Sequence, residues 1–290
     1  MHKSGFVSIV GKPNVGKSSL MNKLVGENLS IITAKAQTTR HRIMGILNGA
    51  DFQVVYSDTP GILEPKYDLH EAMMNYVQVS LEDADVILLV VERGEKFDAA
   101  IMERFKHIKT PIILVINKAD LGKGSQVEDK AAYWKEHFNA TEIISVSAKT
   151  GENVSTILDS VKKHLPEHPG YYPKDTLTDR YERFFAAEII REKIFLNYEQ
   201  EIPYSCEVGI ESFKDEEKMI RISAIIFVER DSQKGIVIGK AGSSLKKVGT
   251  EARKDLESFF NKKVFLETHV KVAENWRKHK QRLKQFGYLE

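Results

Sequence analysis

Apolar residues fall along this chain in two rhythms. Through the first part, short runs of Val, Ile and Leu alternate with stretches whose apolar positions recur every three or four residues. The runs at 6–10, 52–57, 86–91, 112–117 and 143–146 read as strands. Several are nearly continuous rather than alternating, which predicts parallel strands covered on both faces. Stretches 18–25, 99–107, 128–138 and 154–164 read as the helices between them. Strand–helix alternation of this kind predicts an α/β fold, an open and mostly parallel sheet with helices on both faces and right-handed crossovers.

The rhythm breaks at Leu165-Pro166-Glu167-His168-Pro169-Gly170-Tyr171-Tyr172-Pro173. Three prolines and a glycine end a helix and resist a new one. A first domain is therefore expected over 1–168, a linker over 169–178 and a second domain over 179–290. The second domain reads as a helix at 179–198 with Phe185, Ile189 and Ile190 on one side. A strand at 204–213, a charged turn at 214–218 and a strand at 219–229 then form a hairpin. After Ile236-Val237-Ile238-Gly239-Lys240-Ala241-Gly242 comes a helix carrying Leu245, Val248, Ala252, Leu256 and Phe259. A strand at 264–272 and a basic tail helix at 274–285 close the chain.

Charge sharpens this division. The net +2 is the sum of −1 over 1–169, −5 over 170–233 and +8 over 234–290. A basic C-terminal segment on a near-neutral chain points to a polyanion, either nucleic acid or an acidic membrane surface. No apolar run approaches the roughly 20 residues of a membrane-spanning helix. Met1-His2-Lys3-Ser4-Gly5 leads straight into a strand without a signal peptide, so the cytosol is the expected compartment. The one cysteine, Cys206, lies in an alternating stretch and reads as a buried strand thiol. The nine histidines are scattered without metal-ligand company.

The chemistry concentrates at strand ends. Gly11-Lys12-Pro13-Asn14-Val15-Gly16-Lys17-Ser18-Ser19 follows a strand and opens a helix, fitting the phosphate-loop pattern G-x-x-x-x-G-K-[ST]. Its backbone N–H groups can turn inward around a β-phosphate at the positive end of the helix. Lys17 supplies a cation to the β- and γ-phosphates, and Ser18 a hydroxyl to Mg²⁺. That loop does not distinguish GTP from ATP. Asn117-Lys118-Ala119-Asp120 does, at the end of the 112–117 strand where open parallel sheets bind ligands. The Asp120 carboxylate can accept from the guanine ring N–H and exocyclic amine, whereas adenine would leave it unpaired. Asn117 can bridge the loops, the Lys118 stem can lie over the base, and Ser147-Ala148-Lys149 can offer a backbone N–H to the guanine carbonyl. Asp58-Thr59-Pro60-Gly61 offers a carboxylate to Mg²⁺ through water and a Gly61 N–H to the γ-phosphate. In Lys35-Ala36-Gln37-Thr38-Thr39-Arg40 one of the two threonines can cap Mg²⁺ and the γ-phosphate; Thr39 is the expected ligand beside Ser18 and Asp58. Lys17, Thr39 and Gly61 are thus the candidate catalytic groups.

These motifs, with Ala-Gln-Thr-Thr-Arg-His-Arg and Asp-Thr-Pro-Gly-Ile, resemble the translation-factor-related branch of P-loop GTPases over 1–165. Over essentially the whole chain they resemble the Era family of bacterial ribosome-assembly GTPases. Many signalling GTPases carry a water-orienting glutamine after the glycine of the Asp58–Gly61 motif. Here Ile62 stands there, so the resemblance implies a hydrophobic-substituted GTPase with no assigned general base. Relatives with asparagine at the Asn14 position can bind K⁺, which implies turnover faster in K⁺ than in Na⁺; the alternative is that Asn14 only shapes the loop.

In the second domain the order helix–strand–strand–helix–Gly-Lys-Ala-Gly–helix–strand resembles a type II KH domain, an α+β module whose GxxG loop clamps single-stranded nucleic acid. Gly239, Lys240, Ala241 and Gly242 would hold the RNA backbone. Lys246 and Lys247 would add charge, and Ile236 and Ile238 would help floor a base groove. The tail Arg277-Lys278-His279-Lys280-Gln281-Arg282 leaves three readings open: RNA phosphates, anionic lipid, or solvent. Trp276, Phe265 and the phenylalanines of the first helix of this domain read as core, as do Met73 and Met74 in a helix beside the Asp58–Gly61 motif.

The resemblance implies a monomeric GTP- and Mg²⁺-dependent switch binding the 3′ end of small-subunit (16S) ribosomal RNA during 30S subunit assembly. It also implies loose association with the cytoplasmic face of the membrane, which the residues do not independently support. Two rivals remain at this stage: an ATP-dependent kinase using the same phosphate loop, and a non-hydrolysing, nucleotide-sensing RNA-binding scaffold.

Overall fold

The computed structural model describes residues 1–122 and 126–289. The chain divides into two compact units. The first comprises Met1–Ser30, Thr39–Glu64 and Met73–Asp179; the second comprises Ile31–Thr38, Pro65–Ala72 and Arg180–Glu290.

The sheet of the first unit contains β1 (Lys3–Val10), β2 (Ile43–Asn48), β3 (Phe52–Asp58), β4 (Val86–Glu92), β5 (Ile112–Asn117) and β6 (Glu142–Ser145). Their order is β2-β3-β1-β4-β5-β6. All neighbours are parallel except β2, which runs antiparallel to β3 at the edge. Val7, Ile9, Leu88, Val90, Leu114 and Val115 are wholly buried along the central strands, as two-sided coverage requires. The helices between the strands are α1 (Lys17–Val25), α2 (Asp68–Glu82), α3 (Ala99–Met102), α4 (Gln126–His137) and α5 (Val154–His164). Met73 and Met74 of α2 are buried, as expected.

Three local readings need correction here. Strand β2 escapes the sequence because Gly45 interrupts its short apolar run and Asn48 ends it. The helix expected over 99–107 stops at Met102 and tightens into a 3₁₀ turn, Glu103–Phe105. The expected linker lies along the sheet edge: the Gln53 side chain bonds the backbone of Tyr171 and Tyr172, and the Ile46 N–H donates to the Leu177 carbonyl at 2.8 Å.

The second unit is built from α6 (Glu182–Asn197), α7 (Ile202–Ser205), β7 (Glu207–Asp215), β8 (Met219–Val228), α8 (Asp231–Ile238), α9 (Ser243–Phe260), β9 (Lys263–Val272) and α10 (Lys280–Gln285). β8 pairs antiparallel with β7 and parallel with β9. Ile190 and Ile194 of α6 and Val248, Ala252 and Leu256 of α9 pack with Ile222, Ala224 and Ile226 of β8.

The strand expected at 204–213 begins later, at Glu207, because Pro203 sits in the first turn of α7, where its missing N–H costs nothing. Cys206 is buried as expected, but in the connection between α7 and β7. The tail helix is shorter than read: a 3₁₀ turn at Trp276–Lys278 precedes α10. Trp276 is core, its Nε1–H donating to the Ser205 carbonyl at 2.8 Å. Phe265 is not core: it is 44% exposed on β9 with the Arg221 guanidinium over its ring.

Candidate functional site

The carboxyl ends of β1, β3 and β5 bring the sequence-selected residues of the first unit together. After β1 the chain turns through Asn14 and Gly16, both at positive φ (63° and 96°), before α1 begins. A Cβ at Gly16 would lie 2.2 Å from Asn117 Nδ2, so this turn also needs glycine for space. The Lys17 side chain folds back along the loop, its ammonium 2.8 Å from the Lys12 carbonyl and 3.2 Å from that of Gly11. This holds the ammonium inside the curve of the loop, where a phosphate would meet it.

Beside it lies a set of oxygens. Ser18 Oγ is 2.7 Å from Asp58 Oδ2 and 2.8 Å from Thr39 Oγ1, and Thr39 Oγ1 is 3.4 Å from the same carboxylate oxygen. Asp58 is wholly buried at the end of β3. Thr38, the alternative threonine, is turned away, its hydroxyl bonded to Thr33 Oγ1 at 2.6 Å and the Lys35 carbonyl at 2.7 Å. Two hydroxyls and a carboxylate form a hard oxygen set of the kind that would hold Mg²⁺. Among the described residues no cluster of three or more His, Cys, Asp or Glu side chains offers another metal site. Beyond Asp58, the Ile62 N–H donates to the Gly11 carbonyl at 2.9 Å, which ties Gly61 to the phosphate loop. Ile62 itself is buried.

The residues expected to select the base form a network of their own. Asn117 donates from Nδ2 to the Val15 carbonyl at 2.8 Å and accepts at Oδ1 from the Ala148 N–H at 3.0 Å. It therefore bridges the phosphate loop to the loop after β6, as its position suggested. Ser147 Oγ donates to Asp120 Oδ1 at 2.7 Å and accepts from the Thr150 N–H, which fixes the Asp120 carboxylate. Asp120 remains exposed, open to a base. Lys118, at φ 63°, ends 2.5 Å from Glu92 Oε2, and Lys149 is exposed.

Sequence reasoning missed the acids on this rim. Lys12, inside the loop pattern, pairs with Asp98 at 2.9 Å and Glu95 at 3.5 Å. Glu92 and Glu95 stand at and just beyond the end of β4, and only the rule that strand ends carry the site could have found them.

Burial sets the titration of this site. It lowers the Lys17 ammonium from 10.5 to about 8, against the opposing pull of Asp58 and Glu95. It raises the Asp58 carboxyl above its ordinary value, while Lys17 and the Ser18 and Thr39 hydroxyls pull it back. Phosphate oxygens beside Lys17 restore its charge, so a bound diphosphate holds more protons on Lys17 than the free site does. At pH 8 the free lysine is about half protonated, and GDP, whose phosphates ionise near pH 6, should bind with uptake of about half a proton. Affinity then falls as pH rises through 8 toward 10. Calorimetry at pH 8 in buffers of different ionisation enthalpy measures this; zero uptake contradicts the buried lysine.

In the second unit the chain from α8 to α9 runs through Gly239 (φ 72°, ψ 176°), Ala241 (φ 50°) and Gly242 (φ 79°). Lys240, Lys246 and Lys247 are exposed around this loop, and Ile236 is 50% exposed beside it. Ile238 instead packs partly against the core, so of the two isoleucines Ile236 is the one facing out. The loop opens the 18-residue helix α9, whose N-terminus carries the positive end of its dipole. In the tail Arg277 is not free for phosphate. It pairs with Glu229 and lies over the Tyr67 ring, while Lys278, Lys280 and Arg282 are exposed.

Comparison with known proteins agrees with both halves. Residues 6–118 match the family described as 50S ribosome-binding GTPase, and residues 201–277 match the KH domain family. The chain is 47% identical to the GTPase Era of Syntrophus aciditrophicus (strain SB), over 100% of this chain and 96% of that protein. It is 44% identical to the GTPase Era of Staphylococcus haemolyticus (strain JCSC1435), over 100% and 98%. Among solved structures, Era in complex with MgGDPNP and nucleotides 1506–1542 of 16S ribosomal RNA superimposes with a TM-score of 0.95 at 39% identity, covering 100% of both chains. A variant of Aquifex aeolicus Era bound to GDP·AlF₄⁻ gives the same score and identity over 99% and 100%.

Proposed function

The chain belongs to the Era family of GTPases, and on that premise we propose that it is a molecular switch in which bound guanine nucleotide governs an RNA-binding module. It binds GTP with Mg²⁺ and hydrolyses it to GDP and phosphate, and it binds 16S ribosomal RNA near its 3′ end in assembly of the small subunit. One observation carries this reading: Lys17, the Ser18–Thr39–Asp58 oxygens and the Asn117–Asp120–Ser147 network lie at the carboxyl end of one mostly parallel sheet.

In this reading the phosphate loop N–H groups and Lys17 hold the β- and γ-phosphates. Ser18 and Thr39 supply hydroxyls to Mg²⁺, and Asp58 supports it through water. When bound, the metal neutralises charge that develops on the phosphate oxygens. The Ile62–Gly11 bond ties Gly61 to the phosphate loop, which supports the reading of its N–H as a donor to the γ-phosphate. Ile62 has no polar group with which to orient water, so positioning and charge stabilisation carry the reaction rather than a side-chain base. Asn14 stands in the loop where a K⁺ ion could add a cation beside the phosphates. Asp120 reads the guanine edge, and this argues against an ATP-dependent kinase.

The GxxG loop, Ile236, Lys246 and Lys247 form the proposed RNA site, with Lys278, Lys280 and Arg282 extending its charge. No helix among the described residues is long and apolar enough to cross a membrane. The cytoplasm is the proposed compartment, with a monomer as the acting species and loose contact of the basic tail with the membrane face as a further expectation.

The test is turnover of purified protein with and without a 16S 3′-terminal RNA, in KCl and in NaCl. Slow basal GTP hydrolysis that is faster in K⁺ is expected, with RNA crosslinks that differ between the GTP and GDP forms. Equal rates in the two salts remove K⁺ from Asn14. No turnover in any condition returns the chain to a nucleotide-sensing scaffold.

A further inference from the structure

The loop leading into Thr39 is gripped by the first helix of the second unit. Ile31–Thr38 belongs to the compact unit that contains α6. Within that unit the Ile32 N–H faces Glu192 Oε1 at 3.3 Å. The Lys35 ammonium donates to the Phe195 carbonyl at 2.7 Å, to the Tyr198 carbonyl, and pairs with Glu199 at 3.2 Å. It thus satisfies carbonyls that the C-terminus of α6 leaves open, at the negative end of that helix.

The third contact lies deepest. Arg191 is 1% exposed on α6. Its Nε donates to Glu188 Oε1 at 2.8 Å, and its Nη2 both to Glu188 Oε2 and, at 2.6 Å, to the Thr38 carbonyl. Burial alone would lower the guanidinium, but Glu188 more than reverses this and holds it charged. A buried ion pair is a poor stabiliser compared with apolar packing, because both charges lose water. This pair has a further consequence, since its guanidinium also fixes a loop carbonyl.

That carbonyl and the Thr39 N–H share one planar peptide unit. Fixing the oxygen fixes the plane, and with it the direction in which Thr39 leaves the loop. The Thr38 hydroxyl, bonded to Thr33 and Lys35, stiffens the same turn. Thr39 Oγ1 then arrives 2.8 Å from Ser18 Oγ.

We propose that Arg191 is a positioning residue for GTP hydrolysis, holding the Thr38–Thr39 peptide so that Thr39 faces the metal and γ-phosphate. It touches neither nucleotide nor metal. The inference rests on the reading of Thr39 as a metal ligand, and it makes turnover depend on a helix of the RNA-binding unit.

Full-length Arg191→Lys keeps a charge opposite Glu188 but lacks the planar fork needed to reach the carboxylate and the Thr38 carbonyl together. The pair Glu188→Gln with Arg191→Met removes both buried charges at similar volume, so it leaves neither charge unpaired. Both variants should lower kcat about tenfold, the effect of one lost charge-assisted hydrogen bond. Both should also raise the Mg²⁺ needed for half-maximal turnover severalfold, and leave GDP affinity within about twofold, because GDP needs no Thr39 contact. Thr39→Ala, assayed alongside, reports on the metal site itself.

Folded Arg191 variants with wild-type kcat and Mg²⁺ dependence, while Thr39→Ala loses turnover, overturn the positioning role and leave the site reading intact. Loss of GDP affinity in parallel with kcat also overturns it, since that marks a structural defect. Full turnover in Thr39→Ala sinks the metal-ligand reading and the inference with it.

Discussion

Asp120→Asn should weaken GTP binding by about a hundredfold or more and shift preference toward xanthosine triphosphate. The geometry gives the direction. Ser147 Oγ donates to Asp120 Oδ1 at 2.7 Å. In the asparagine variant that hydroxyl can still donate only to an oxygen, so it selects the rotamer with Oδ1 toward Ser147 and Nδ2 toward the base. The guanine edge then meets a donor where it presents its own ring N–H and amine, and two donors facing each other leave both unpaired. Xanthine carries a carbonyl in place of the amine and restores one bond. Charge-assisted hydrogen bonds contribute about 1.5–3 kcal/mol each, so losing two accounts for the size of the effect. The Asn117 bridge between Val15 and Ala148 is untouched, so the loop framework should survive. Competition of GTP, XTP and ATP against a fluorescent nucleotide measures this; unchanged GTP preference would remove Asp120 from the base site.

Gly242→Asp should lower affinity for single-stranded RNA by roughly thirtyfold or more while leaving GTP affinity unchanged. Gly242 caps the N-terminus of α9 at φ 79°. A Cβ there meets nothing within 4 Å, and Asp tolerates left-handed backbone better than most residues, so the fold should lose only about 1 kcal/mol. Gly239 is different: its φ and ψ are open essentially only to glycine, and a Cβ would lie 2.2 Å from Ser244 Oγ. Position 242 therefore separates ligand effects from folding effects. In the proposed RNA site an aspartate there would set a carboxylate in the path of the RNA backbone, in the loop that carries the exposed Lys240. Repulsion between close unit charges at a partly exposed site is of order 2 kcal/mol or more, which is about thirtyfold. RNA binding by anisotropy, with thermal melting as control, reads both quantities. RNA affinity unchanged in a folded variant removes the GxxG loop from the site.

The parts of this molecule legible in its sequence are those whose physics is local. β5 and α5 fall where the apolar run and the helical period place them, because Asn117 and Pro166 mark their ends. The phosphate loop was legible because glycine spacing, a preceding strand and a following helix coincide within a short stretch. The GxxG loop was legible likewise, from its glycine spacing and the helices on either side of it. What escaped depends on distant neighbours. Strand β2 exists because β3 offers it an edge. Phe265 looked like core by type, yet it lies 44% exposed on β9 with the Arg221 guanidinium over its ring. The choice between Thr38 and Thr39 was open in the sequence, since adjacent threonines differ only in which way the folded loop turns them. Arg191 and Glu188 read as ordinary helix charges; nothing short of the fold shows that they are buried against a loop some 150 residues away.

In the proposed function a magnesium-bound triphosphate occupies this pocket, with its purine selected by Asp120. Equilibrium competition between GTP and ATP for the full-length protein, with saturating Mg²⁺ at pH 7.5, tests it most directly. GTP should bind at least about a thousandfold more tightly than ATP, because a site built to donate to or accept from one base edge rejects the other by that order. Comparable affinities, or tighter ATP, would contradict it.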